Sequence, residues 1–220
     1  MNLSLRLSTI FEMTPPSVVA DVGSDHGKLI IALVLNNKIK KGYAIENKKG
    51  PFDRLVSELE KNHVTQYITP IFADGISKLP EDTETVILAG MGGTTIVDIL
   101  KKDVSKLENV KTIIVDAHSD IPYVRMEITK LGFSINKERI IKEDNIYYEI
   151  IRFVRSELVF YSEFDYEFGP ILRNEKSATF KEKYISRLHS IDELLKNNNK
   201  LPLFRQKQLL NEKHKLEKVI

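Results

Sequence analysis

Residues 18–27, Val-Val-Ala-Asp-Val-Gly-Ser-Asp-His-Gly, decide the fold. Val18 to Val22 is a short apolar run that reads as a buried strand, and it breaks into glycine and small residues. Lys28 to Leu35 then reads as a helix. A strand, a tight turn and a helix start bring free backbone N–H groups to one point beside a helix N-terminus. Gly23 and Gly27 let a ligand approach the backbone where a Cβ would block it. The glycine spacing is G-x-x-x-G, so the dinucleotide fingerprint G-x-G-x-x-G is absent. Asp21 stands on the strand just before the first glycine. By itself such a turn fits an ordinary strand–helix connection equally well.

The rest of the chain bounds what that turn can serve. With 220 residues there is room for one α/β domain and a small appendage. Charged residues make up 29% and hydrophobic ones 42%, the balance of a soluble globular protein. Net charge is only +2, so a basic face must come from local segregation. There is no cysteine, which excludes disulfides, thiolate metal sites and thiol nucleophiles. Arg6 and Glu12 interrupt the apolar residues of the N-terminus, which therefore lacks the core of a signal peptide, and no later run approaches membrane-spanning length. A cytoplasmic monomer is the expectation.

Taken in order, residues 3–13 suit an amphipathic helix closed by Pro15-Pro16, with Arg6 pointing either into a site or into water. Gly42 to Glu46 reads as a second strand ending in a carboxylate. Glu46 follows Asp21 at the offset where nucleotide-binding α/β folds place a ribose acceptor, although a solvated strand-end glutamate fits as well. A helix follows from Gly50-Pro51-Phe52 to about Asn62. Ile68 to Phe72 is a third strand, ending at Ala73-Asp74-Gly75, which is either a turn or a base-amino acceptor. Thr85 to Leu88 is a fourth, apolar throughout, and ends in Ala89-Gly90-Met91-Gly92-Gly93 before the helical run Ile96–Lys101. So many glycines at a buried strand end require a close backbone approach.

Lys111 to Val115 forms a fifth strand, ending at Asp116-Ala117-His118, and a helix from Ile121 to Leu131 follows it. Phe133 to Ile141 and Ile146 to Val154 read as an antiparallel terminal hairpin. Five strand–helix alternations and a hairpin give a seven-stranded α/β sandwich. Its ligand belongs at the C-terminal strand ends, where Asp21, Glu46, Asp74, Gly90 and Asp116 all fall.

Composition shifts near Ser156. Residues 156–170 are acidic and aromatic, end at Gly169-Pro170, and read as a linker with its docking contact. Ile171 to Lys196 and the run after Pro202 carry apolar stripes, separated by a break over 197–202, and form an antiparallel helical hairpin. Residues 171–220 hold 12 Lys or Arg against 6 Asp or Glu. That is either a solvated hairpin or an electrostatic arm for a phosphate backbone, and it offers no aromatic stacking platform.

The order Asp21-x-Gly23-x-x-x-Gly27 resembles the first motif of S-adenosylmethionine (AdoMet)-dependent methyltransferases. The chain as a whole resembles the bacterial tRNA (adenine(22)-N1)-methyltransferase family. The motifs that carry the likeness are Arg6-Leu7, Ala20-Asp21-Val22-Gly23-Ser24-Asp25-His26, Glu46 with Gly50-Pro51-Phe52, Asp74-Gly75, Leu88-Ala89-Gly90-Met91-Gly92-Gly93, Glu143-Asp144 with Tyr147-Tyr148-Glu149, and Gly169-Pro170. The resemblance implies a Rossmann-like class I methyltransferase domain over residues 1–156 and a C-terminal helical coiled-coil domain over 157–220. It also implies AdoMet as donor and tRNA as substrate. It places Asp21, Gly23, Ser24, Glu46, Asp74, Gly75, Gly90, Met91 and Gly92 at the cofactor, with Glu46 on the ribose and Asp74 on the adenine. Asp25 and His26 become the candidates for the chemistry, with an N-cap role for Asp25 and a structural role for His26 as alternatives. Arg6, Asp116 and His118 fall on the substrate side. There the chain departs from the family: Asp116-Ala117-His118 stands where a Gln-Pro-Asn type sequence is usual. His26, His63 and His118 have no metal-ligand spacing, so no metal is expected.

Overall fold

The computed structural model describes residues 2–157, 159–196 and 201–220. One seven-stranded sheet runs in the order β3-β2-β1-β4-β5-β7-β6. Its strands are β1 (Val19–Val22), β2 (Gly42–Glu46), β3 (Ile68–Phe72), β4 (Thr85–Met91), β5 (Thr112–Ala117), β6 (Phe133–Glu143) and β7 (Ile146–Arg155). The first five are mutually parallel, and β7 enters antiparallel between β5 and β6. Strand order reverses between β1 and β4, so the crevice for a ligand opens at their C-terminal ends.

Side chains alternate across the central strands and feed two cores. Ala20, Val22, Val86 and Leu88 face α4 (Gly93–Lys102) and α5 (Ile121–Lys130). Val19, Ala44, Ile87 and Ile114 face α1 (Leu5–Met13), α2 (Lys28–Leu35) and α3 (Lys49–Lys61). Burial on both faces explains the apolar run Val86 to Ala89 of β4 and the apolar neighbours of Asp21 in β1. Ser4 caps α1 by accepting the Leu7 N–H at 3.3 Å, which fixes the helix that carries Arg6.

The structure departs from the sequence reading in three places. β4 does not stop at Leu88 but continues through Met91 across a bulge at Gly90, whose φ is +78°. Residues 156–170 are not a plain linker: they contain α6 (Glu163–Phe168), started by a capping box in which Ser162 and Asp165 exchange hydrogen bonds. The run from Ile171 divides into α7 (Leu172–Glu175) and α8 (Ala178–Lys196), because Lys176 turns left-handed. Of the expected break at 197–202, residues 197–200 lie outside the described residues.

A third core joins α8 and α9 (Leu203–Val219) to the sheet through Phe168, Phe180, Tyr184 and Ile140 of β6. The pairs Lys176–Ile220, Arg187–Glu212 and Asp192–Lys213 make α8 and α9 antiparallel. Beneath them lies a buried ion cluster. The Arg125 guanidinium donates to Glu138 Oε1 at 2.8 Å, to Glu149 Oε2 at 2.5 Å and to the Tyr166 carbonyl at 3.1 Å. Lys183 of α8 donates to the other oxygen of Glu149 at 2.5 Å.

Candidate active site

Two cavities of about 390 and 380 Å³ adjoin at the C-terminal edge of the sheet. Gly23 and Asp25 border both. The first is floored by Val22, Ile45, Met91 and Ile99 and edged by Glu46, Asn47, Asp74 and Gly75. The second is bordered by Arg6, Asp21, Ser24, His26 and Gly90.

In the first cavity the turn after β1 is tied down by the Gly23 and Ser24 N–H groups, which donate to the Ile45 carbonyl at 2.8 and 3.1 Å. Gly23 has φ +75°, and a Cβ there would run into the Met91 methyl group. Glu46 is buried, and its Oε1 accepts the N–H groups of Asn47 and Lys48, both at 2.9 Å. That fixes the carboxylate; Oε2 has no protein partner among the described residues. Asp74 is exposed at the mouth, bonded by Lys102 at 2.8 Å and Asn47 at 3.2 Å. Lys102 holds its carboxyl below the usual range. Gly75, at φ +54°, presses against Ile99.

In the second cavity Asp21 is buried with one hydrogen-bond partner, the Ser24 hydroxyl at 2.6 Å. Burial pushes its carboxyl up to about 6, against the lowering effect of Ser24. Asp25 is half-exposed and lies 3.4 Å from Arg54 and 3.6 Å from His26. It does not cap α2: that position belongs to Gly27, and no side chain bonds there. His26 holds φ +59° in the short 3₁₀ turn between strand and helix.

Behind Gly90 lies a group of charged and aromatic side chains. Arg6 donates to Asp116 Oδ2 at 2.6 Å, and its guanidinium sits 5.5 Å from the centre of the Tyr148 ring. Tyr148 in turn meets the His118 ring edge to face, 6.2 Å away. The His118 N–H donates to the Met91 carbonyl, which locks the end of β5 to β4. Asp116 is fully buried and its Oδ1 has no partner. Burial pushes its carboxyl above the usual range, and Arg6 opposes that shift.

Most of the residues singled out in the sequence therefore come together. Gly92, Asp116 and His118 border neither cavity: Asp116 and His118 lie behind Gly90, and Gly92 starts α4 beside the Ser119 and Thr95 hydroxyls. Gly93 packs on the Ser119 carbonyl, so the close approach behind this pair of glycines is to the protein's own loop. Tyr148, Asn47 and Ile99 also belong to the site. Tyr148 had a signal in Tyr147-Tyr148-Glu149; Asn47 and Ile99 had none beyond following Glu46 and the glycine run. No group of three or more His, Asp or Glu able to hold a metal occurs among the described residues. No described helix is long and apolar enough to cross a membrane.

Residues 19–220 match the family model of tRNA (adenine(22)-N(1))-methyltransferase, TrmK. The chain belongs to the TrmK family. A curated relative, the tRNA (adenine(22)-N(1))-methyltransferase of Bacillus subtilis, is 30% identical over 195 residues, 86% of this chain and 82% of that protein. The solved structure of Streptococcus pneumoniae Sp1610, assigned as a tRNA (m1A22) methyltransferase, superposes with a TM-score of 0.94 at 28% identity, covering 99% of both chains. The same protein solved with S-adenosyl-L-methionine gives 0.90 at 28% identity and the same coverage. TrmK from M. capricolum, solved with S-adenosyl-homocysteine, gives 0.86 at 25% identity over 98% of this chain and 96% of that one. The site residues of this TrmK chain fit such a cofactor. A side chain at Gly23 would fill the turn, Glu46 is aimed with one oxygen free, and Asp21 is a buried carboxylate short of a cation.

Proposed function

We propose that this chain transfers a methyl group from AdoMet to N1 of adenine 22 in tRNA, acting on an extruded base. The two cavities that meet at Gly23 and Asp25 carry this reading. One offers an aimed ribose acceptor; the other is bordered by the charged and polar side chains of Arg6, Asp21, Asp25 and His26.

AdoMet supplies a methyl already activated by its sulfonium, so no covalent enzyme intermediate is needed. The chain's task is alignment and exclusion of water, and alignment supplies roughly 7–11 kcal/mol of barrier lowering. Glu46 accepts from the ribose hydroxyls. Asp74 and Gly75 take the adenine edge, with Val22, Ile45 and Ile99 as its apolar walls. Gly23, Ser24, Gly90 and Met91 admit the methionine part, and Asp21 partners its ammonium. Gly92 acts through the placement of α4 rather than by contact.

Adenine N1 lies on the pairing edge, so the nucleotide leaves its stack at a cost of about a few kcal/mol. Arg6, Asp116 and His118, with Tyr148, form the wall that receives it. Asp25 and His26 stand where donor and acceptor meet and are the candidates for the chemistry. Residues 1–156 form the methyltransferase domain, and 157–220 the helical domain that contacts tRNA. The reading includes a monomer that works on tRNA in the cytoplasm.

The test is incubation of the protein with labelled AdoMet and total tRNA, followed by nucleoside mapping. Label in 1-methyladenosine at position 22 is the expected result. Label in another nucleoside would reassign the target, and no label with no heat of AdoMet binding would leave a non-catalytic RNA-binding protein.

A further inference from the structure

Among the described residues only two buried side-chain polar atoms lack a hydrogen-bond partner, Thr83 Oγ1 and Asp116 Oδ1. Thr83 precedes β4 at the far end of the sheet from the site. Asp116 is on the site's own edge, paired in register with Ala89, directly before the Gly90 bulge. An unbonded oxygen on a fully buried carboxylate is costly, and native folds seldom keep one without a use. The Gly90 N–H lies near enough to favour the charged form, yet no donor completes a bond to Oδ1.

The surroundings say what kind of donor is missing. Oδ2 is already held by Arg6 at 2.6 Å, so the carboxylate is oriented and its second oxygen is kept for something else. Arg6 is the cover: it is partly exposed, borders the second cavity and lies across the face of Tyr148. Gly90 borders the same cavity with no side chain of its own, and a Cβ there would meet only Arg6 at 3.5 Å and His118 at 3.9 Å, so Arg6 is the group that must move to admit a ring. A flat ring that takes the Tyr148 face in place of the guanidinium arrives beside Asp116.

We propose that Asp116 is the specificity-determining carboxylate of this site, its Oδ1 accepting a hydrogen bond from the 6-amino group of the target adenine. This rests on the function proposed above and names the residue that reads the base. A purine with a 6-carbonyl, guanine or hypoxanthine, would set lone pairs against that oxygen and offers N1–H where the reaction needs a lone pair. The contact also strengthens as the methyl moves. The N1–CH₃ bond forms as the S–CH₃ bond breaks, and the positive charge passes from sulfur to the base, whose amino group shares it. A buried carboxylate bonded to that amino group stabilises the change more than the ground state. Asp25 is less suited, being half-exposed and already engaged by Arg54 and His26.

The experiment pairs a change in the protein with a change in the base. Full-length tRNA transcripts carry adenine or unsubstituted purine, which lacks only the 6-amino group, at the target position. Methylation kcat/KM is measured for both with the parent protein, Asp116→Ala and Asp116→Asn. AdoMet binding is measured by calorimetry as a control on folding. The intrinsic difference in N1 reactivity cancels in the ratio of ratios. The parent's preference for adenine should exceed that of Asp116→Ala by about 10- to 100-fold, the scale of one charge-assisted hydrogen bond. A ratio unchanged within about twofold overturns the assignment. A second arm needs no variant. Without AdoMet, the purine transcript should compete for the parent protein at least about fivefold more weakly than the adenine transcript, and equal competition also overturns it. If the parent methylates no adenine transcript at all, it is the proposed function that fails; if it does and the ratios match, only the role of Asp116 fails.

Discussion

Glu46 and Asp25 are both acidic residues bordering the first cavity, yet their surroundings give them different work. Glu46 is buried and fixed by two backbone N–H groups at its Oε1, so it is pre-aimed before any ligand arrives. Glu46→Ala should raise the AdoMet dissociation constant about 10- to 100-fold, the worth of one or two hydrogen bonds to a charged group. Asp25 touches both cavities but closes neither. Asp25→Ala should leave AdoMet affinity within about threefold and lower kcat by about 100-fold. Calorimetric titration beside a single-turnover assay separates the two, and loss of affinity in the Asp25 variant alone would exchange their roles. Asp21 makes a prediction about pH. Its carboxyl sits at about 6 in the folded chain against an ordinary 3.8, so the folded state binds the extra proton. The stability this gives is complete below about pH 4 and is lost as pH rises through 6. Above that, the buried charge costs about 3 kcal/mol, from 1.36 kcal/mol per unit. Urea unfolding of the ligand-free protein should therefore show Asp21→Asn level with the parent near pH 4 and about 3 kcal/mol more stable above pH 7. A difference independent of pH would remove this account of Asp21.

At the scale of elements, what could be read from the sequence depended on whether the cause of a structure lay within it. β2, β3 and α2 begin and end where apolar runs meet glycine, carboxylate or polar residues, and all three were legible. β4 was cut short in the reading because three glycines in four residues imitate a loop. In the fold, Gly90 takes a left-handed bulge and the strand resumes at Met91. The stretch before Gly169 carries a local start signal for α6, the Ser162–Asp165 capping box, that the linker reading passes over. What holds α6 in place lies 41 residues away, in the Arg125 guanidinium that bonds the Tyr166 carbonyl and the carboxylates of β6 and β7. Gly169 belongs to the same arrangement: a Cβ there would come 2.5 to 2.7 Å from Glu138 and Arg125. The same distance hid the site's far wall, since Tyr148 meets Arg6 only once β7 inserts beside β5. Arg125 is therefore the pin between sheet and hairpin. Arg125→Met would leave Glu138 and Glu149 buried without it and should cost about 3–5 kcal/mol in urea unfolding. Adding Glu138→Gln to that variant should restore part of the loss, whereas a purely steric role for Arg125 predicts no rescue.

Over the whole molecule, charge is distributed less simply than the count of 12 cations against 6 acids suggests. Much of the positive charge of the hairpin is engaged inside the protein. Lys183 goes to Glu149, Arg187 to Glu212, Lys213 to Asp192, Lys215 to Glu163 and Glu167, and Arg173 to Asp165. Among the described residues, Lys181, Lys196, Arg205, Lys207 and Lys218 form no ion pair, and the start of α9 also exposes Leu203 and Phe204, the latter 72% open. A single exposed aromatic side chain, Phe204, therefore stands next to Arg205 and close to Lys207. Deleting the hairpin is a poor test of tRNA contact, because it would bare Ile140 and Phe168 and take Lys183 from Glu149. Charge removal at the free positions is cleaner. Arg205→Gln with Lys207→Gln should weaken tRNA binding and flatten the salt dependence of the association constant, by roughly 0.7–0.9 in log–log slope for each phosphate that goes unneutralised. The same pair of changes should leave AdoMet binding untouched. Phe204→Ala should weaken binding with no change in slope, because stacking releases no counterions. Filter binding from low to moderate salt reads both quantities. An unaltered slope in the double variant would place the phosphate contacts elsewhere and leave the hairpin a purely structural brace.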